Sequence, residues 1–197
     1  MKLFSIAGFL TSGKTTVANF IRKRGVPVIS LDDICQDLLK PGTNTYKELI
    51  LSLGEDIIEI DGTLDIRKLS LLSYKEEWIK ILVDDILKNE CISFINVLLE
   101  TLDKYKIDVL GIENGFVDNL IDCKSILFVD CPKGFRIKRM REKYKFNDQI
   151  IANILKFETE NDKSLEDCYY IYNLSDLKYL EDKSINFLKQ YLVNNIQ

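Results

Sequence analysis

The stretch Gly8-Phe9-Leu10-Thr11-Ser12-Gly13-Lys14-Thr15 decides the fold, because it matches the phosphate-binding pattern GxxxxGK[ST] in full. Glycines let such a loop wrap so that successive backbone N–H groups point at the phosphates of a nucleotide. The lysine reaches the β- and γ-phosphates, and the hydroxyl after it can bind Mg²⁺. An ordinary glycine turn between a strand and a helix is the alternative interpretation.

The sequence on either side of this loop favours phosphate binding. Residues 2–7 form a short apolar run typical of a buried strand, and residues 14–23 carry apolar side chains at helical spacing. A helix that begins at Lys14 adds the positive end of its dipole. We therefore predict an ATP site with Mg²⁺ held at Thr15, and we expect Lys14 to lie exposed at the loop and to act in catalysis. The residues predicted to contact the nucleotide are Gly8, Thr11, Ser12, Gly13, Lys14, Thr15 and Thr16.

Strands alternate with helical stretches along the chain, which is typical of a parallel sheet covered by helices. We predict an α/β, three-layer fold of the P-loop NTPase type, with a five-stranded parallel sheet and helices on both faces. A mostly helical insert covers about 43–105, and no linker divides the chain, so 1–197 is expected to form one domain. The predicted strands are 2–7, 28–29, 107–112, 125–130 and 168–172, and a last helix is predicted at 177–193.

The amino-acid composition excludes several kinds of catalytic and metal site. The 197 residues contain no histidine, which excludes Ser-His-Asp and Cys-His catalysis and histidine-ligated zinc. Five cysteines without CxxC spacing indicate reduced thiols. The net charge of −4 does not suggest a nucleic-acid binder, and no stretch approaches the ~18 apolar residues needed to cross a bilayer. We expect a cytoplasmic protein with neither a nucleic-acid nor a membrane partner, and the oligomeric state is left open.

Further motifs follow the loop in a distinctive order. They are Val28-Ile29-Ser30-Leu31-Asp32, Pro41-Gly42, Leu53-Gly54-Glu55-Asp56-Ile57-Ile58 and Asp61-Gly62-Thr63-Leu64-Asp65, with Ile126-Leu127-Phe128-Val129-Asp130 and Ile171-Tyr172-Asn173 further on. This series resembles the dephospho-coenzyme A kinase family. The likeness extends over most of the chain, dense through residue 65 and sparse afterwards.

The resemblance implies transfer of the γ-phosphoryl group of ATP to the ribose 3′-hydroxyl of dephospho-coenzyme A, the last step of coenzyme A synthesis. It places Asp32 near that hydroxyl, where an acidic side chain at a strand end orients the nucleophile and accepts its proton. A helix N-cap is the alternative role for Asp32. The resemblance also implies that Arg139 is a catalytic lid arginine and that Arg67 binds the acceptor substrate.

A basic segment and one strand end complete the candidate site. Arginines and lysines are concentrated between 136 and 143, in a predicted lid region of about 132–163, where arginines would neutralise charge on the transferred phosphoryl group. A solvated basic helix face is the alternative. Glu113 ends a predicted strand on the side of the sheet where open α/β folds bind ligands. We expect it to hold Mg²⁺ through water or to contact the acceptor, with a structural role as the alternative.

Several positions depart from the family's pattern, most of them on the acceptor side. In the loop, Phe9 and Thr11 replace glycines, and on the acceptor side Asp84-Asp85 replaces a His-Pro pair. Two alternatives therefore stay open: a P-loop kinase for a nucleoside or nucleotide, and an ATP-binding protein that has lost phosphoryl transfer. The other departures are Ser30 for aspartate, Ile66 for arginine with Arg67 one place later, the segment Gly111–Val117, and Lys143 for arginine.

Overall fold

The computed structural model describes residues 2–113, 123, 125–160 and 168–194. The departures at 114–117 and the end of the predicted lid at 161–163 lie outside these residues. The chain divides into two compact units, the first made of Met1–Leu31, Leu102–Phe146 and Asp162–Gln197, the second of Asp32–Thr101 and Asn147–Asn161. That all of 1–197 acts as one kinase domain stays a prediction.

The described residues form five β-strands and eight α-helices, joined by turns that include a 3₁₀ turn at Glu55–Ile57 and a π-helical turn at Met140–Tyr144. The strands are β1 Lys2–Ala7, β2 Val28–Ser30, β3 Val109–Glu113, β4 Ser125–Asp130 and β5 Tyr169–Tyr172. The helices are α1 Lys14–Arg22, α2 Leu31–Leu38, α3 Asn44–Leu53, α4 Ile66–Lys75, α5 Glu77–Lys104, α6 Lys133–Arg139, α7 Asp148–Glu160 and α8 Leu177–Asn194.

All five strands lie in the first unit and form one parallel sheet in the order β2-β3-β1-β4-β5. The connection from β1 to β2 runs one way along the sheet, and that from β4 to β5 runs the other way. The predicted five-stranded parallel sheet is confirmed, and β1 and its loop occupy the centre of the sheet.

The core of the first unit lies against α1 and α8. Phe4 of β1 is fully buried together with Val17 and Ile21 of α1. The ring of Phe4 makes edge contacts with the rings of Phe187 and Tyr191 on α8, each at a centroid distance of 5.2 Å. Because aromatic pairs of this geometry add to the stability gained by burial, they fix α8 against the central strand.

The second unit is helical and has its own apolar core, in which Leu49 of α3 and Ile57 are fully buried. Ile79, Val83 and Ile86 contribute one face of α5 to the same core. Although α5 is 28 residues long, neither it nor any other helix of the described residues has an apolar stretch sufficient to span a membrane. The region 43–105 is mostly helical, as the sequence analysis expects.

Gly111 of β3 is closely enclosed: a Cβ atom there would lie 2.6 Å from Cζ of Phe4 and 3.0 Å from Cγ2 of Val28. The Phe4 ring is itself held in the core and cannot retreat. We predict that Gly111→Ala lowers the free energy of unfolding by roughly 1–3 kcal/mol, measured by urea denaturation.

Gly134→Ala is the matched control, since its added Cβ on α6 would meet nothing within 4 Å. This variant should be neutral or slightly stabilised, because alanine is the better helix former. Equal stabilities of the two variants would contradict the close packing at Gly111.

Candidate active site

The loop between β1 and α1 takes left-handed or otherwise glycine-favouring backbone conformations at three positions. The φ angles are 148° at Gly8, 61° at Thr11 and 110° at Gly13. A Cβ at Gly8 would lie 2.3 Å from the carbonyl oxygen of Val129, so only glycine fits there. At Gly13 the loop passes into the helix, where the N–H of Thr16 donates to the Gly13 carbonyl at 3.0 Å.

Thr11 occupies a left-handed position at which the family's pattern has glycine, and that conformation costs a threonine about 1–2 kcal/mol. Its hydroxyl offsets part of this cost, because it lies within hydrogen-bond distance of the carbonyl oxygens of Leu10 at 2.6 Å and Arg136 at 3.1 Å. The loop therefore keeps its shape with a side chain in place of a glycine.

Side-chain donors hold every carbonyl of the loop from Gly8 to Ser12. Because the N–H and C=O of a peptide unit point in opposite directions, these bonds also fix the N–H groups that a phosphate would bind. The loop is therefore organised by the protein itself. The bonds are Lys14 Nζ to Gly8 O at 2.9 Å and to Phe9 O at 3.0 Å, Arg136 Nε to Leu10 O at 2.9 Å, Arg139 Nη1 to Thr11 O at 2.9 Å, and Asn173 Nδ2 to Ser12 O at 2.6 Å.

The expectation that Lys14 lies exposed is wrong, since the residue is only 8% exposed. Its ammonium lies between the carbonyl oxygens of Gly8 and Phe9. The physical reason is that a buried ammonium needs acceptors for its three N–H donors, and the curled loop presents carbonyls at the right distance. The positive charge thus lies within the loop, and its catalytic role stays a prediction.

Thr15 and Glu113 are 98 residues apart in sequence but adjacent in the structure. The hydroxyl of Thr15 donates to Oε1 of Glu113 at 2.5 Å. Glu113, at the end of β3, is 3% exposed, and its Oε2 has no hydrogen-bond partner among the described residues. The Nη2 of Arg22 lies 3.9 Å from Oε2, and Arg22 is fixed in turn by hydrogen bonds to Asn19 and Val28.

This pair fits a magnesium ion. A hydroxyl beside a buried carboxylate with an unsatisfied oxygen gives an all-oxygen donor set, which Mg²⁺ prefers. The described residues contain no cluster of three or more His, Cys, Asp or Glu side chains that could hold a metal. Mg²⁺ would therefore depend on water and substrate phosphates for most of its ligands, as it does in other phosphoryl-transfer sites.

Arg139 is held on the loop backbone. Besides its bond to Thr11, it donates from Nη2 to the hydroxyl of Ser175 at 3.0 Å, and its Nη1 lies 3.5 Å from Sγ of Cys131. Burial raises the pKa of the Cys131 thiol and outweighs the opposite effect of Arg139. The thiol therefore stays protonated at neutral pH, so it does not neutralise the guanidinium. The catalytic role of Arg139 stays a prediction.

Asp32 and Arg67 both lie in the second unit and are both exposed. Because α2 begins at Leu31, Asp32 lies inside the first helical turn rather than before the helix, which argues against the N-cap alternative. Arg67 is the second residue of α4, behind the N-cap Asp65. The roles of Asp32 and Arg67 stay predictions.

Two residues that support the loop were given no role there by sequence reasoning, although Arg136 lies in the basic segment and Asn173 in the motif Ile171-Tyr172-Asn173. Arg136 is 5% exposed, and its guanidinium lies 4.9 Å from the ring centroid of Phe9. Asn173 is 3% exposed, and besides holding Ser12 its N–H donates to Asp130 at 2.7 Å. The basic segment was visible in the sequence, but which of its arginines is buried was not. For Asn173 the available signal was a polar residue directly after a buried strand.

A family model described as dephospho-CoA kinase matches residues 3–177. The chain belongs to the dephospho-CoA kinase family. A dephospho-CoA kinase of Prochlorococcus marinus is 27% identical over 192 residues, covering 93% of this chain and 92% of the relative, and one of Coxiella burnetii is 26% identical over 194 residues, covering 96% and 92%. A solved structure of dephospho-CoA kinase from Campylobacter jejuni matches with a TM-score of 0.63 at 14% identity, over 100% of this chain and 100% of that one.

Family membership confirms the expectations of a P-loop fold and of a kinase. It also supports the function inferred from the motif series, which is ATP-dependent phosphorylation of dephospho-CoA in CoA biosynthesis. The structural likeness, at such low identity, adds evidence for the fold alone. The departures at individual acceptor-side positions therefore occur within a chain whose family is established.

We predict that Lys14→Met lowers kcat by at least roughly 100-fold, because methionine keeps the aliphatic stem but removes the charge that stabilises the transferred phosphoryl group. The melting temperature should fall by only about a few degrees, since two hydrogen bonds are lost. Lys23→Met, at an exposed lysine just after α1, is the matched control and should retain full turnover. Near-normal turnover of Lys14→Met would contradict the assigned role.

Proposed function

We propose that this chain transfers the γ-phosphoryl group of ATP to the ribose 3′-hydroxyl of dephospho-CoA in a Mg²⁺-dependent reaction in the cytoplasm. The family match over residues 3–177 carries the proposal. The part of the proposal that concerns ATP binding is supported by the loop, whose five successive carbonyls are held by side-chain donors. The five cysteines, all among the described residues and none in a disulfide, are consistent with a reducing compartment.

On the ATP side, the N–H groups of the loop and the N-terminus of α1 would bind the β- and γ-phosphates. Lys14 would turn from the carbonyls of Gly8 and Phe9 to the phosphate oxygens, which replace those carbonyls as acceptors. Arg139, one helix turn after the buried Arg136, would neutralise charge that develops as the phosphoryl group moves. Both cations lie in the first unit with the loop.

The hydroxyl of Thr15 would bind Mg²⁺ directly, and Glu113 would hold it through a water molecule. When bound, Mg²⁺ neutralises charge on the phosphates. Glu113 is suited to hold the ion through water because its Oε1 already accepts a hydrogen bond from Thr15, while its buried Oε2 has an unused acceptor site. Arg22, whose Nη2 lies 3.9 Å from Oε2, helps to orient the carboxylate.

On the acceptor side, Asp32 would accept a hydrogen bond from the ribose 3′-hydroxyl and take its proton as the phosphoryl group is transferred. As an exposed carboxylate in the first turn of α2, it is accessible to such a substrate. Arg67 is exposed in the same unit and would bind an anionic group of the acceptor.

The proposal is tested by a coupled ADP-release assay with dephospho-CoA, adenosine and nucleoside monophosphates as acceptors. ADP release with dephospho-CoA alone, and a product phosphorylated at the 3′ position, are the expected results. Turnover with only a nucleoside or nucleotide would show that this compound is the acceptor and that dephospho-CoA is not. ATP binding without turnover on any of these compounds would overturn the assignment as a kinase.

We predict that Thr15→Val raises the Mg²⁺ concentration needed for half-maximal turnover by roughly tenfold or more, because a metal ligand and the partner of Glu113 are both lost. Thr101→Val is the matched control, since that exposed hydroxyl bonds only within its own helix, to Val97 at 2.8 Å. Unchanged Mg²⁺ dependence in Thr15→Val would rule out the metal site.

We predict that Asp32→Asn lowers kcat by roughly 100-fold or more, the scale of a lost general base, with little change in ATP affinity or melting temperature. Asp33→Asn is the matched control, because it removes a neighbouring charge from the same turn of α2. A purely electrostatic contribution to the helix would give equal, small effects in both variants. A loss of less than about threefold in Asp32→Asn would exclude its catalytic role.

A further inference from the structure

Two cysteines from distant parts of the second unit are in direct contact. Cys35 on α2 is half-buried and Cys91 on α5 is 3% exposed. Their sulfur atoms lie 3.4 Å apart, within hydrogen-bond distance for thiols, although 56 residues separate them in sequence. A disulfide has an S–S distance of about 2.05 Å, so the two sulfurs need to approach by only about 1.4 Å.

The hydrogen bond between the two sulfurs favours a thiolate on one of them, against the effect of burial and of nearby carboxylates. The hydrogen bond between the sulfurs lowers the pKa of Cys91, while the same bond and burial raise the pKa of Cys35. The first thiolate of the pair is therefore stabilised by the remaining S–H, as in other reactive dithiols. The half-buried Cys35 provides access from solvent.

We propose that Cys35 and Cys91 form a redox-sensitive modification site, in which a peroxide joins them as a disulfide and thereby slows phosphoryl transfer. One cysteine releases its proton, and its thiolate attacks a peroxide oxygen. The O–O bond breaks, the departing hydroxide takes up that proton and leaves as water, and the sulfur becomes a sulfenic acid. The second cysteine gives up its proton and attacks the sulfenic sulfur, whose S–O bond breaks as the S–S bond forms. The proton and the departing hydroxide form a second water, so two thiols are oxidised and one peroxide is reduced.

The effect on turnover rests on the role proposed for Asp32. Cys35 follows Asp32 by three residues on α2, so the two side chains lie on the same face of the helix, and the Asp32 carboxylate contributes to the raised pKa of Cys35. Closing the bond shifts this turn of α2 toward α5 by up to about 1.4 Å in total. Displacements of that size are enough to misplace a catalytic group.

The test treats the purified full-length protein with hydrogen peroxide, blocks remaining thiols by alkylation, and identifies linked peptides by mass spectrometry. We expect a peptide pair joined through Cys35 and Cys91 that disappears after dithiothreitol. Cys35→Ser and Cys91→Ser should each lose this pair, whereas the control Cys168→Ser should retain it. Absence of the pair at peroxide concentrations that oxidise other cysteines of the chain would overturn the proposal.

Turnover is measured on the same samples. Oxidation should lower the kcat of the wild type at least threefold, and dithiothreitol should restore it. Peroxide should not cause this reversible loss in Cys35→Ser. A linked pair with unchanged turnover would overturn the effect on catalysis. The peptide readout does not depend on activity. Failure of the proposed kinase function would therefore be seen separately: the protein would form the disulfide with peroxide, yet its reduced form would turn over no acceptor.

Discussion

The five hydrogen bonds that hold the carbonyls of Gly8 to Ser12 are the constraint on which the rest of the first unit depends. Their donors come from α1, from α6 and from the residue after β5, so three elements must be in place before the loop is complete. The sheet order satisfies this requirement. It places β4 beside β1 and β5 beside β4, so that the ends of all three strands meet where the loop begins. The fold thus organises the anion site before a nucleotide binds.

The same bonds explain how the loop tolerates Thr11 at a left-handed position. A threonine in that conformation is disfavoured on its own, but its carbonyl is held by Arg139 and its hydroxyl lies at the backbone of α6. Interactions from outside the loop fix the conformation that glycine would otherwise adopt freely. A threonine can therefore take the left-handed backbone conformation of this loop position, at which the family's pattern has glycine.

Local patterns in the sequence were sufficient to predict the strands, the loop and the helix after it, because each depends on residues close together in the chain. The buried positions of Lys14 and Arg136 were not predictable in this way. Their burial follows from curvature of the loop and from a contact that spans 126 residues between Arg136 and Leu10. Likewise, the contact of Thr15 with Glu113 joins the start of α1 to the end of β3, two places that the pairing of β1 with β3 brings together. Sequence reasoning selected both residues but could not predict their hydrogen bond.

In the second unit, acceptor-side positions that depart from the family's pattern lie at the surface. Asp84 and Asp85, which replace a His-Pro pair, are exposed on α5, and Asp84 forms an ion pair with Lys80 one turn earlier. Arg67 is likewise exposed, on α4. None of these side chains belongs to the apolar core of the second unit, so they can change without destabilising it. Packing thus constrains the core positions of the second unit, whereas these exposed positions are not constrained by its core. The fold and the phosphate loop of the first unit are maintained by a separate set of contacts, made within that unit.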